Sequence, residues 1–355
     1  MAAVRESGDF VGIRCCLLVF SLIAWLVHGN GNLSFADARM GPQATSSTPS
    51  QSGLDFDYER SAIRPTDRVE HKHETKYYQA RALAFPSIGD NGQAGNLMSA
   101  RYYESKLPGK HKLIIVLPIW GAQKFPPRNM TKALLRYSRG DMNVLRILGE
   151  NSLLDWTAMR SAPSEEKLVE VMQRMVERVR ISVIDIRRWI DWAEAEPKVD
   201  ESRIGLVGFS MGANVGSLVL ATEPRIAAGA LAMGGANPHE IFATCFVRKV
   251  KRTREVLLAR FNWTAGTLGQ KMQQPLAPIN PVRFAGTVNP QRIIMLEAGR
   301  DTCIPQSGRD ALWYALGKPT RVTWPHDHNM AFLNMTFLGG NTMAHKIFDF
   351  LNEAL

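Results

Sequence analysis

Several familiar signatures are missing from this sequence. It has four cysteines in 355 residues and no C-x-x-C spacing, so nothing suggests a cysteine-built metal or thiol-redox centre. The N-terminal apolar run CCLLVFSLIAWLV, Cys15 to Val27, has 13 residues, short of the about 20 that a membrane span needs. Lys and Arg give a net charge of +10, yet they are mostly scattered and are not interleaved with aromatics. That pattern argues against a nucleic-acid partner and leaves the charge as a matter of solubility and surface adhesion. No internal repeat is present. Apolar residues at 45% and charged residues at 21% place the chain among ordinary globular proteins with a sizeable core.

The N-terminus has the parts of an export signal. Arg5 and Arg14 precede the apolar run, and Ala36-Asp37-Ala38 matches the small-x-small cleavage rule. Residues 1–38 are therefore expected to direct secretion or periplasmic delivery. The alternative is an uncleaved segment that anchors the chain to a membrane. Cys15 and Cys16 stand at the start of the apolar run rather than closing it, which does not suit a lipoprotein. Cleavage leaves Cys245 and Cys303, and the sequence leaves open whether they pair. Beyond residue 38, Asn-x-Ser/Thr sequons remain at Asn129, Asn262 and Asn334. Residues 39–74 include GPQATSSTPSQSG and read as a flexible linker, with the folded domain expected over 75–355.

From there strands and helices alternate. YYQARALAF and NLMSARYYES read as a first strand pair. KLIIVLPIW, MNVLRIL, RIGLVGF, IAAGALAM, RIIMLEA and RVTW are strands in the style of a sheet buried on both faces. PPRNMTKALLRYSR and the segment from Ser164 through WAEAE have helical periodicity, with Ser164 as a cap and Glu165 and Glu166 in the first turn. The alternation predicts an α/β fold, a mostly parallel doubly wound sheet with helices on both faces. Residues 236–280 interrupt it before the penultimate strand with helical periodicity of their own, and are expected to act as a lid.

The stretch RIGLVGFSMGANVGSLVL places Ser210 between a strand and a helix in the pattern Gly208-Phe209-Ser210-Met211-Gly212. A turn that tight strains the serine backbone and crowds its neighbours at minus two and plus two, where glycine has no Cβ to clash. The hydroxyl is left exposed at a helix N-terminus, which favours developing negative charge. A serine nucleophile needs a base, and the base needs an orienting acid, in the chain order serine, acid, histidine.

Downstream, Asp301 follows the strand RIIMLEA, and His326 and His328 follow RVTW. His328 is the preferred base because it lies deeper in its loop with Phe332 four residues on; His326 is the alternative. Glu240 is a weaker acid candidate, and Asp327 reads as a solvated loop residue. His239 precedes the acid, and His345 reads as part of a solvated helix face. Two backbone N–H groups must hold the oxyanion. Met211 supplies one, and Trp120 or Ile119, after the strand KLIIV, the other. Trp120 is also a candidate wall of the acyl pocket. Within the insert, Arg248, Lys249, Lys251, Arg252 and Arg254 form a basic run. It reads either as a solvated face or as a surface that meets an anionic partner.

The chain resembles the α/β-hydrolase family, and within it the dienelactone-hydrolase and acetyl-esterase-like branch. The resemblance spans about Tyr77 to Leu355. VDESRIGLVGFSMGANVG, INPVRFAGTVNPQRIIMLEAGRDTCIP and the terminal HDHNMAF and IFDFL carry it. It implies a triad of Ser210, Asp301 and His328, no metal and no organic cofactor. Two departures stand out. LPIWGA replaces the family's common His-Gly in the oxyanion loop, and GANVG lacks a second glycine directly after the elbow. The expected activity is hydrolysis of small-molecule or polymer-linked carboxylic esters. A peptidase or amidase, or a non-catalytic binding protein, are the competing readings. Contact with a membrane is expected only through an uncleaved N-terminus or the basic insert.

Overall fold

The computed structural model describes residues 55–89, 96–121, 125–149, 151–333 and 342–355. The expected signal peptide, residues 39–54 of the expected linker and the Asn334 sequon lie outside the described residues. Nine strands are present among those described: β1 Thr66–Val69, β2 Tyr78–Pro86, β3 Leu97–Ser105, β4 His111–Val116, β5 Met142–Leu148, β6 Val199–Phe209, β7 Ile226–Ala232, β8 Ile293–Ala298 and β9 Thr320–Trp324. They form one sheet in the order β1-β2-β3-β5-β4-β6-β7-β8-β9. The pairs from β5 through β9 are parallel, and β1, β2 and β3 extend the sheet antiparallel at one edge.

The helices are α1 Pro127–Ser138, α2 Trp156–Ser161, α3 Glu165–Ala195, α4 Met211–Thr222, α5 Pro238–Thr244, α6 Arg248–Phe261, α7 Ala265–Leu276, α8 Gln306–Ala315, α9 His328–Leu333 and α10 Met343–Ala354. Side chains of a strand alternate between faces, and β4 shows why its residues from Leu113 onward are all apolar. Leu113 and Ile115 enter the core shared with α3 and α4, while Ile114 and Val116 enter the core shared with α1 and α10. Each such side chain, once buried, contributes about 1.5–3 kcal/mol. Ser164 caps the long α3, its Oγ accepting the N–H of Lys167.

The expected linker boundary at residue 75 is overturned. Phe56 is buried in the core. Tyr58 donates its hydroxyl proton to Asp191 at 2.8 Å, and burial together with that carboxylate pushes the phenol up to about 12. Arg60 and Arg225 also pair with Asp191, at 3.2 and 2.7 Å. β1 then adds to β2 through backbone bonds, with all four of its side chains exposed. A polar edge strand carries no apolar pattern for sequence reasoning to find. Asp191 is the shared anchor of this segment, and its carboxylate is nearly buried. Asp191→Ala is expected to lower stability by about 1–2 kcal/mol, since Tyr58 loses its nearly buried acceptor while Arg60 keeps Glu194 and Arg225 keeps Glu194 and Glu223. A urea unfolding midpoint that stays within error of wild type would contradict this.

His345 also departs from expectation. Its ring stacks on Tyr137 at 4.5 Å between centroids, and Nδ1 meets the Thr342 hydroxyl that caps α10. It belongs to the packing of that helix rather than to a solvated face. Among the described residues no helix is long and apolar enough to cross a membrane.

Candidate active site

β6 ends at Phe209 and α4 begins at Met211, so the whole strand-to-helix reversal falls on Ser210. Its φ is 52° and ψ −116°, backbone angles that cost a non-glycine residue about 1–3 kcal/mol. The flanking glycines make the turn sterically allowed. A Cβ on Gly208 would lie 2.2 Å from the carbonyl oxygen of Gly212. A Cβ on Gly212 would lie 2.5 Å from the carbonyl oxygen of Pro118, in the loop after β4. The carbonyl of Ser210 accepts the N–H groups of Ala213 and Asn214, which starts α4 directly beneath the serine.

Ser210 Oγ lies 3.2 Å from His328 Nε2, and His328 Nδ1 lies 2.8 Å from Asp301 Oδ2. A carboxylate only accepts, so Nδ1 carries the imidazole proton. Nε2 is then left to accept the serine hydroxyl. The carboxylate of Asp301 is fully buried, and its second oxygen, Oδ1, accepts the N–H groups of Cys303 and Ile304 at 2.7 and 2.8 Å. His328 opens α9 and packs edge-on to Phe332 at 5.2 Å between ring centroids. Of the two candidate bases, His328 is therefore the one that meets both Ser210 and Asp301. The backbone of His326 closes the preceding bend, its carbonyl accepting the N–H of Arg300.

The other acidic candidates have different tasks. Asp327 is not a bystander of the loop: its Oδ1 accepts the N–H groups of Asn329 and Met330, each at 2.9 Å, and so caps the helix that carries His328. Glu240 spends its two oxygens on Ser307 and Asn237, fastening α5 to α8.

Ser210 opens into a cavity of about 170 Å³. Ile119, Trp120 and Met211 line it on the serine's side. Trp120 and Gly121 have φ of 54° and 84°, a reversed loop that brings this backbone alongside the elbow. Met211 is the first residue of α4, where an N–H has no intrahelical acceptor. Leu153 and Trp156, after β5, supply an apolar wall that sequence reasoning missed. The available signal was their place beyond a strand's C-terminal end, the ligand-binding edge of a doubly wound sheet. Phe242, Val247, Lys249 and Val250 of the 236–280 insert form another part of the lining. A second apolar cavity of about 50 Å³ lies beyond, sharing Met211, Asn214, Ile241 and Phe242 with the first.

Cys245 and Cys303 are joined in a disulfide. It ties the α5–α6 junction to the loop of Asp301, reinforced by the N–H of Phe246 donating to the carbonyl of Thr302 at 3.0 Å. The basic run is not one continuous face. Arg254 is buried and donates to the carbonyls of Phe242 and Cys245, while Arg248, Lys249, Lys251 and Arg252 are exposed. Arg254 follows Val250 by four positions and precedes Leu257 by three, so the helical period itself turns it inward.

Residues 148–251 match the dienelactone hydrolase family; the span contains Ser210 and stops short of Asp301 and His328. The fold is similar to acetyl xylan esterase 1 from Thermoanaerobacterium sp. JW/SL YS485, at 14% identity and a TM-score of 0.56 over 82% of this chain and 89% of that one. It is also similar to an acetyl xylan esterase from Paenibacillus sp. R4, at 12% identity and a TM-score of 0.57 over 83% and 90%. A cold-adapted esterase from an Arctic intertidal metagenomic library is similar at 17% identity and a TM-score of 0.52, over 82% of this chain and all of that one. No curated protein gives a significant match. The chain has the α/β-hydrolase fold and resembles its dienelactone-hydrolase branch.

Proposed function

We propose that this chain is an exported serine hydrolase that cleaves carboxylic esters through an acyl-enzyme. The observation that carries this reading is the continuous hydrogen-bonded line from Ser210 through His328 to Asp301, opening on an apolar cavity. Its similarity to the dienelactone hydrolase family over residues 148–251 supports the hydrolase class. In the proposed mechanism Ser210 Oγ attacks the ester carbonyl as His328 Nε2 takes its proton. Asp301 stabilises the imidazolium through Nδ1. The N–H groups of Met211 and Trp120 hold the oxyanion, where preorganised donors act on the charge as it develops. His328 returns the proton to the leaving alcohol, then activates the water that frees the acid. The apolar run from Cys15 to Val27, with Arg5 and Arg14 before it and Ala36-Asp37-Ala38 after it, supports the proposed location, and a disulfide is at home in an oxidising compartment.

A fluorophosphonate tests this reading. It should inactivate the protein stoichiometrically and appear by peptide mapping on Ser210; an adduct elsewhere, or none, would remove the nucleophile from the scheme. The two cavities make a second expectation. Phe242 stands between them, so Phe242→Ala should raise kcat/KM for long-chain p-nitrophenyl esters about tenfold relative to the acetate. An unchanged chain-length profile would place the acyl group elsewhere.

A further inference from the structure

The exposed N-terminal turn of α6 has a composition that its own stability does not explain. Four of its first five residues are cations, Arg248, Lys249, Lys251 and Arg252. Positive charge there opposes the helix dipole. Arg248 also faces Lys251 and Arg252 at three and four residues' separation, which is repulsive. There is no acidic residue in the first turn and no side-chain cap. The helix α3, by contrast, opens with Ser164, Glu165 and Glu166. Among the described residues only Lys251 has an acidic neighbour, Glu255 at 3.8 Å.

Directly before these cations stand two exposed apolar residues, Phe246 and Val247, with 63% and 36% of their surfaces in solvent. The guanidinium of the buried Arg254 lies 5.7 Å from the centre of the Phe246 ring, so the ring is held over a fixed support. The patch adjoins the candidate site: Val247, Lys249 and Val250 line the Ser210 cavity.

We infer that this turn is a docking surface for an anionic lipid bilayer, with Phe246 and Val247 entering the interface and the four cations facing the headgroups. Charge complementarity selects an anionic partner. The exposed aromatic beside the cations selects a surface with an apolar interior, as for an interfacial helix. The docked cavity mouth would then face esters held in the bilayer, which rests on the proposed hydrolase reading. The docking itself does not.

Sedimentation with phosphatidylglycerol vesicles and with phosphatidylcholine vesicles tests it, using the full chain at fixed ionic strength. Wild type and Ser210→Ala should both bind the anionic vesicles, the inactive variant separating docking from catalysis. The triple variant Arg248→Gln, Lys251→Gln, Arg252→Gln should bind about a hundredfold more weakly, at roughly fivefold per charge. It should hydrolyse a small soluble ester as wild type does. Phe246→Ser should weaken vesicle binding by a further several-fold. The N-terminal apolar segment is common to all variants, so the differences report the patch alone. Equal binding by wild type and the triple variant would overturn the inference. So would a charge-dependent attachment that Phe246→Ser leaves unchanged and that heparin supports as well as vesicles do, which would indicate a soluble polyanion.

Discussion

Ser210→Ala is expected to lower kcat for a p-nitrophenyl ester by about 10⁵- to 10⁶-fold, with thermal stability unchanged or raised. The expectation rests on two separate features of the elbow. The hydroxyl is the reacting atom of the proposed scheme, 3.2 Å from the base, so its removal leaves only binding and the oxyanion donors. The backbone of the turn, by contrast, is dictated by packing around Gly208 and Gly212, and a methyl group at position 210 fits wherever the serine Cβ does. Rate and fold should therefore separate cleanly. The measurement is steady-state hydrolysis beside a melting curve. Residual activity within tenfold of wild type would mean that another group does the chemistry.

Asp301→Asn is expected to cost about 10⁴-fold in kcat with the fold retained. The loop around the carboxylate makes this substitution unusually informative. Oδ1 accepts two backbone N–H groups, from Cys303 and Ile304. An asparagine must keep its carbonyl oxygen there, because its amide NH2 would meet two donors. The NH2 is thus forced toward His328 Nδ1, which must then accept. The imidazole proton moves to Nε2, and a protonated Nε2 cannot take the proton of Ser210. The loss should appear in kcat far more than in KM, since nothing that binds substrate has moved. A variant within tenfold of wild type in kcat would show that the orientation of His328 does not depend on Asp301.

Much of the architecture was legible because parallel strands buried on both faces are nearly all apolar. The runs LIIV of β4, IGLVGF of β6 and IIML of β8 stand out for that reason, and the glycine pair around Ser210 marks the turn between β6 and α4. β1 was hidden by the same logic. Its sequence TDRV is mostly polar and all four residues are exposed, and it is a strand because β2 offers it a backbone edge. At the candidate site, the chain order narrowed the search to Asp301 and two histidines. His328 is preferred there for its depth in the loop and for Phe332 four residues on; the structure adds the Asp327 cap that starts α9 at that residue, a contact that the reading of Asp327 as a solvated loop residue sets aside. The disulfide was not legible, since pairing across 58 residues leaves no local trace. The inward turn of Arg254 was present in the helical period, but the charge of its neighbours obscured it.

The bond between Cys245 and Cys303 has a consequence for the life history of the chain. It closes a loop of 58 residues that contains α6, α7 and β8, worth about 4 kcal/mol of unfolded-chain entropy on the loop-length relation. A newly made, reduced chain lacks that contribution. Among the described residues, the segment whose backbone steadies Asp301 is then fastened to the insert by packing, by the Phe246–Thr302 hydrogen bond and by Ser307 donating to Glu240. Thiol oxidation is thus a maturation step that acts on the acid loop and the cavity wall together. A chain kept reduced carries every residue of the candidate site without the covalent tie that sets two of its walls against each other.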